Sequence, residues 1–468
     1  MRALISARLG ADFTRLWTAS AIANLGDGVT MVAGPLLVAT LTTDPAAVAG
    51  AAFAQQLPWL LFALISGAWA DRVDRRRLVV TVNIVRALAI GALTAAIATD
   101  RMSVLLIYVV FFVLGTGETL ADTASAAFVP AIVPVDALPT ANSLLGGTFT
   151  VVNQFLAKPL GGWLFAVSAA LPFGVNAASF AGSAALVAGL RSLPPADRPR
   201  RSPHTPPGSP SLRAEIADGV RWLWRHRLLR TLAVTMAFGN LVFCAAFAIF
   251  VLYSQSRLGL SPVGYGALLT SFAIGGFLGT LVAPTLLRTF GATLLLRVGP
   301  LIEVALHATL AATTHPWAAG AIIVVFGVHT VVWGVVATTV RQREVPSRMF
   351  GRVTSVYSLL DLGGAALGSL LGGLVAQAYG IVATFWTAAA AMSVVALAAW
   401  RPLAAASSAF RSTAESSPGD PPASRVAPDG CPRRSPGDPA SRAAPDGSPP
   451  RSPGDPASRV APDGGPPR

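Results

Sequence analysis

Charge is what this chain has least of. Asp, Glu, Lys and Arg make up only 12% of its 468 residues, about half the share usual in a soluble protein. Lysine is nearly missing: Lys158 is the only one, so Arg supplies the rest of the 35 basic residues, and its use says little about chemistry. Cysteine is scarce as well. Cys244 lies in an apolar segment and Cys431 in a Pro-rich tail, which excludes a disulfide framework. Enzyme signatures are also missing. Lys158 is followed by Pro159, so there is no Walker A Gly-Lys-Ser/Thr; none of the five His has His-Glu-x-x-His spacing, and no Gly-x-Ser-x-Gly occurs. The chain therefore reads as a non-enzyme with no cofactor and no metal site. Its energy must come from an ion gradient, a substrate gradient or a partner.

What the chain has instead is apolar sequence. It is 53% hydrophobic with a mean hydropathy of +0.59. Apolar stretches of about 20 residues or more, each long enough to cross a bilayer, recur from Asp12 to Trp400. They predict an all-α polytopic membrane protein with twelve transmembrane helices: Asp12–Thr40, Ala46–Ala70, Leu78–Thr99, Ser103–Ala126, Leu138–Val167, Ala169–Leu190, Leu228–Tyr253, Val263–Arg288, Ala292–Thr313, Trp317–Val340, Arg352–Ala378 and Ile381–Trp400. The first 30 residues hold Asp12, Arg15 and Asp27 and no small-residue cleavage site, so they read as a retained first span.

Between the second and third spans stands the run Asp71-Arg72-Val73-Asp74-Arg75-Arg76-Arg77. One Arg or Asp at a helix centre costs at least ~2.5–3.5 kcal/mol in hydrocarbon, so this run must be a water-facing turn. Even-to-odd connections hold Arg72–Arg77, Arg191–Arg227, Arg288–Arg297 and Arg341–Arg352, whereas odd-to-even connections are nearly free of basic charge, Arg257 excepted. The bias puts both termini in the cytoplasm of a cell (inner or plasma) membrane protein. The same distribution accounts for the net charge of +13 without nucleic acid.

Four regions follow. Residues 1–190 form a first six-helix half and residues 228–400 a second. Residues 191–227 form a cytoplasmic linker. Its Pro/Ser/Arg-rich start gives way at Leu212–Arg230 to Ile216, Val220, Leu223 and Trp224 at helical spacing among arginines, either an amphipathic helix on the lipid surface or a plain linker helix. Residues 401–468 carry three near-copies of Ser-Pro-Gly-Asp-Pro-(Pro)-Ala-Ser-Arg-x-Ala-Pro-Asp-Gly, with no apolar face to bury, and read as a disordered Pro/Gly/Arg-rich tail. Ala157-Lys158-Pro159-Leu160-Gly161-Gly162 and Gly368-Ser369-Leu370-Leu371-Gly372-Gly373 resemble each other, as a six-plus-six repeat predicts.

The run from Gly67, Gly67-x-x-x-Asp71-Arg72-x-Asp74-Arg75-Arg76, resembles the loop motif between helices two and three of the major facilitator superfamily. Its Asp-Arg-Arg-Arg form is similar to the drug- and macrolide-efflux branch, which also contains the enterobactin exporter. Leu25-Gly26-Asp27, Glu118-Thr119-x-x-Asp122-Thr123-Ala124, Ala141-Asn142-Ser143-Leu144 and Val345-Pro346-x-Arg348-x-x-Gly351-Arg352-Val353 support the resemblance, which covers about residues 10–400. It implies the major facilitator fold, with helices 1, 4, 7 and 10 around a central path. It also implies a conformational latch made of Gly67, Asp71, Arg72, Arg75, Asp122 and Arg352. Asp71 would cap helix eleven and Arg75 would meet Asp122, closing the cytoplasmic side. A solvated turn kept only for insertion is the plainer reading.

Ionisable groups inside spans are expensive and mark function. Asp27, Glu118 and Lys158 are the proton-coupling candidates, because burial disfavours the charged form of a group that must exchange protons. Lys158 is a counter-ion for Asp27 or Glu118, a site for anionic substrates, or a lysine snorkelling to the interface. Ala157-Lys158 stands where efflux relatives usually have Gly-Pro. Asn240, His329, Trp333 and Asp361 are the substrate-path candidates, and Glu303 and His307 share a helix face at i, i+4. The expected function is a proton-coupled, monomeric exporter of small amphipathic molecules (drug, macrolide-like product or siderophore). The alternatives are an importer of a small metabolite, or a membrane receptor or scaffold signalling through its tail. The expected partners are the substrate, protons and the bilayer.

Overall fold

The apolar segments are helices in a computed structural model, which describes residues 9–70, 74–126, 128–190 and 212–405. In chain order they are α1 (Ala11–Leu41), α2 (Pro45–Ala70), α3 (Arg75–Ala98), α4 (Val104–Ala126), α5 (Val129–Ile132), α6 (Leu138–Thr148), α7 (Ala157–Val167), α8 (Leu171–Ala188), α9 (Leu212–Arg225), α10 (Arg227–Ala248), α11 (Phe250–Ser256), α12 (Pro262–Ala312), α13 (Pro316–Glu344), α14 (Ser347–Tyr379) and α15 (Ile381–Ala399). Among the described residues nine helices are long and apolar enough to cross a membrane. The protein is an all-α polytopic membrane protein.

Local chemistry sets the helix boundaries. Asp44 Oδ1 accepts from the Ala46 N–H at 3.0 Å, Asp74 Oδ1 from the Arg77 N–H at 2.9 Å, and Ser261 Oγ from the Gly264 N–H at 3.3 Å. Each satisfies a donor that the first helical turn leaves unpaired. Pro45, Pro172, Pro262 and Pro316 stand in first turns, where their missing N–H costs nothing.

Four of the expected spans are less regular than the sequence suggests. The fifth is interrupted by a π-helical stretch, Phe149–Leu156, between α6 and α7. The seventh breaks at Ile249 (φ −107°, ψ 6°), which separates α10 from α11. The eighth and ninth run on through α12, whose arms meet at Gly291 with φ 71°, ψ 162°. That left-handed backbone favours glycine, and at ~1.5 Å per residue the whole of α12 is far longer than a ~30 Å hydrocarbon core.

The bundle has two ends. Connections at 42–44, 99–103, 168–170, 257–261, 313–315 and 380 form a short-loop end; the described residues at 74, 128–137, 189–190, 291 and 345–346 stand at the linker end. At the short-loop end one apolar core takes Leu36, Phe111 and Phe173 from before the linker and Tyr253, Tyr265 and Phe385 from after it. At the linker end two cores stand apart among the described residues. Phe13, Val82, Phe128 and Val187 belong to one, and Leu229, Leu296, Val340 and Tyr357 to the other. Lipid tails are as apolar as these side chains, so close packing and hydrogen bonds hold helices together here. At the short-loop end a Cβ on Gly162 would lie 2.4 Å from the Pro262 carbonyl oxygen, and one on Gly373 2.5 Å from Ala49 Cβ. Those glycines let the helices before and after the linker touch.

The linker helix α9 packs against α14. A Cβ on Gly219 would be 3.0 Å from the Arg352 carbonyl oxygen, and Leu223 is buried, while Val220 and Trp224 are exposed. The helix expected over 212–230 ends earlier, because His226 accepts from the Leu229 N–H and caps the next helix, α10.

Candidate functional site

The polar groups within the apolar bundle gather in two clusters. The first is built on α1 and α3. The Arg86 guanidinium donates to Asp27 Oδ1 at 3.0 Å and lies over the Phe180 ring, 3.9 Å from its centre. Arg86 is 5% exposed, while the Asp27 side chain keeps 34% of its surface. The arginine is therefore fixed by packing, and the carboxylate faces the adjoining cavities. The pair stands between two cavities. One, about 440 Å³, lies wholly before the linker and is lined by Ser20, Asn24, Asn83, Asn142 and Ser183. The other, about 490 Å³, is central: Gln55, Gln56, Glu118, Asn153 and Gln154 face Phe247 and Leu362 from beyond the linker. Asp27, Arg86 and Glu118 thus line one space, whose polar walls are fixed by hydrogen bonds such as Asn153 to the Asn24 carbonyl at 3.0 Å and Asn176 to Thr30 Oγ1 at 2.7 Å.

Lys158 sits two residues beyond the π-helical stretch. Such stretches are frequent at functional sites, because they turn side chains off the regular helical face. Its ammonium donates to Gln154 Oε1 at 2.5 Å, and the residue is 3% exposed. It does not snorkel to the interface: it lines a third, aromatic cavity of about 290 Å³ with Gln56, Phe243, Phe247, Phe250 and Phe326. The counter-ion of Asp27 is Arg86 rather than Lys158.

The second cluster lies beyond the linker, around a cavity of about 200 Å³. Asn240 donates to the main-chain oxygen and Oδ1 of Asp361 at 2.9 and 3.0 Å. Glu303 Oε1 is 3.7 Å from His329 Nε2. The i, i+4 spacing of Glu303 and His307 does not bring their side chains together as a pair: His307 Nδ1 meets the Glu303 main-chain oxygen at 2.8 Å, and the carboxylate turns to His329 on α13. Asn240, His329, Trp333 and Asp361, drawn from three helices, line this one cavity.

Of the latch residues, Asp71 and Arg72 lie outside the described residues, as do the side chains of Arg75 and Asp122; Gly67 falls within α2. Arg352 Nη1 is 3.8 Å from Asp218 Oδ2 on the linker helix. Arg76, next to the latch, donates to the Ala188 carbonyl at the end of α8. Sequence reasoning passed over Arg86, although it stands within an apolar span and the criterion that selects Asp27 selects it too. Asn153 and Gln154 carried no such signal, because neutral amides are common in helices.

Long apolar helices enclosing a chain of partly polar cavities define a membrane transporter. A sequence model for the transmembrane secretion effector matches residues 8–429, and the chain belongs to this family of the major facilitator superfamily. The multidrug efflux pump Tap of Mycolicibacterium fortuitum is 28% identical over 380 residues, 78% of this chain and 90% of its own. The enterobactin exporter EntS of Escherichia coli O1:K1 is 26% identical over 316 residues, 66% of this chain and 72% of its own. A bacterial homologue of the iron transporter ferroportin, in its inward-facing state, superposes with a TM-score of 0.67 at 17% identity, covering 84% of this chain and 98% of its own. The protein is a non-catalytic, multi-pass secondary transporter that moves small molecules by alternating access.

Proposed function

We propose that this transporter is a proton-coupled exporter of small amphipathic molecules, and that the Asp27–Arg86 pair carries the coupling. The observation behind this is the position of the pair: a half-open carboxylate bound to a buried arginine, between a polar cavity on one side and the central cavity on the other. Protonating Asp27 cancels its attraction for Arg86. The guanidinium, held in place over Phe180, then needs another acceptor, and Glu118 lines the same cavity. A proton entering down ~100 mV supplies ~2.3 kcal/mol to the cycle. Lys158 holds the polar end of the aromatic cavity and tunes the pair from there.

The architecture we propose is twelve spans in two six-helix halves, residues 1–190 and 228–400, joined by the linker 191–227. The tail 401–468, which beyond residue 405 lies outside the described residues, and both termini are assigned to the cytoplasm. The broken helices fit this count: α6 and α7 form one span, α10 and α11 another, and the arms of α12 two. On this orientation the fused short-loop end is the outer side and the parted linker end opens inward. The latch of Gly67, Asp71, Arg72, Arg75, Asp122 and Arg352 then closes the linker end in the opposite state. Amphipathic substrates fit the adjoining aromatic and polar walls and agree with the names of the multidrug and siderophore exporters this chain resembles. We take the working unit to be a monomer.

The test uses purified protein in liposomes and a fluorescent amphipathic dye, Hoechst 33342. Saturable dye movement that accelerates at least severalfold when a pH gradient is imposed is the expected result. Saturable movement indifferent to the gradient would refute the coupling.

A further inference from the structure

The cavity beyond the linker differs in charge from the three other cavities described above. Its lining includes two carboxylates, Glu303 and Asp361, and among the described residues that line it there is no Arg or Lys. The groups that face the carboxylates from neighbouring helices are Asn240 and His329. The amide is neutral, and the imidazole stands 3.7 Å from Glu303 Oε1, too far for a good hydrogen bond. Glu303 Oε2 is buried and has no hydrogen-bond partner, and the buried indole N–H of Trp333, on the same wall, has none either. Buried hydrogen-bonding groups in native proteins are almost always partnered, so the unspent carboxylate oxygen on this cavity is matched to a donor or a cation held there. The rest of the wall is aromatic: Phe243, Phe272, Phe326 and Trp333.

Carboxylates with aromatic faces are the chemistry that holds an ammonium. The carboxylates supply the counter-charge, and each ring face attracts a cation within ~6 Å of its centre. We propose that this cavity binds the protonated or quaternary amine of an amphipathic organic cation. The apolar body of such a ligand has a place next door, because Phe243, Phe272 and Phe326 also line the cavity of about 290 Å³ that reaches Lys158. The lone lysine stands at the far side, where it sets the orientation by repelling the cationic end. This deepens the exporter reading by naming the substrate class, and it rests on that reading only for the claim that the bound cation is then moved.

The experiment is equilibrium binding of radiolabelled benzyltrimethylammonium to the full chain in lipid nanodiscs, with no gradient. Neopentylbenzene, which replaces the nitrogen by carbon, is the uncharged competitor. Saturable binding of the cation is expected, with at least tenfold weaker competition by the hydrocarbon. Glu303→Gln and Asp361→Asn, each checked for folding by thermal unfolding, should each weaken binding at least tenfold. The proposal is overturned if the intact chain shows no saturable cation binding or if the hydrocarbon competes equally. It is also overturned if the folded variants bind as tightly as the parent. Because nothing moves in this assay, lost proton-driven flux with intact cation binding would fault the coupling alone. Intact proton-driven flux without cation binding would fault this site alone.

Discussion

The two polar clusters hold their carboxylates in opposite ways. Before the linker, Asp27 is matched by a buried arginine that is itself stacked on Phe180. Beyond the linker, Glu303 and Asp361 have an imidazole and an amide for company, and one Glu303 oxygen has no partner. A charge taken out of water is stable only when paired and hydrogen-bonded. The first cluster therefore supplies its own cation and must be opened to work, while the second is incomplete until a cation arrives. One suits an internal switch and the other a binding site.

The largest expected break in this comparison is Arg86→Ala. It strands Asp27 beside a cavity and removes the guanidinium from Phe180, and losing one partner of a buried pair costs about 3–5 kcal/mol. The half-open carboxylate places the loss toward the lower figure, read as a fall in the thermal midpoint of the purified protein. Asp27→Asn should cost less, because its side chain borders two cavities and the amide can still accept from Arg86. Next in size is a conformational effect. Gly162→Leu would push a side chain into the Pro262 carbonyl, where even a Cβ has only 2.4 Å. The short-loop end should part, and a single cysteine placed there should label several times faster with a membrane-impermeant thiol reagent. Unchanged labelling would show that the fusion at that end does not depend on close packing. The smallest effect belongs to Glu303→Gln. Neutralising a carboxylate that lacks a cation should not lower stability by more than about 0.5 kcal/mol, the range of an inconsequential substitution. A loss as large as that of Arg86→Ala would erase the difference between the clusters.

Most of the fold was legible in the sequence, because hydrocarbon allows so little. Runs of about 20 apolar residues must be helices there, and the charge run around Asp74 marks a turn by its cost alone. The interruptions were not legible. Nothing in Phe149–Leu156 distinguishes a π-helical stretch from a regular one, and the contact of its Asn153 backbone with Gly28 of α1 has no sequence spacing. Gly291 looked like part of a loop because Arg288 and Arg297 flank it, yet one left-handed residue makes the whole turn. The cost of charge in hydrocarbon marks Asp27, Glu118 and Lys158 as candidate site residues. Their partners are not marked so plainly. Arg86 bears the same cost but stands among many arginines; the long-range approach of Glu303 to His329 crosses helices and has no sequence spacing to betray it.

The claim that coupling resides in the Asp27–Arg86 pair is tested most directly by Asp27→Asn in liposomes. Hoechst 33342 movement is measured with an imposed pH gradient and again without one, downhill only. The expected result is loss of gradient-driven accumulation with downhill movement kept within about threefold of the parent, since the substrate walls remain. Accumulation that follows the pH gradient in Asp27→Asn as it does in the parent would contradict the account.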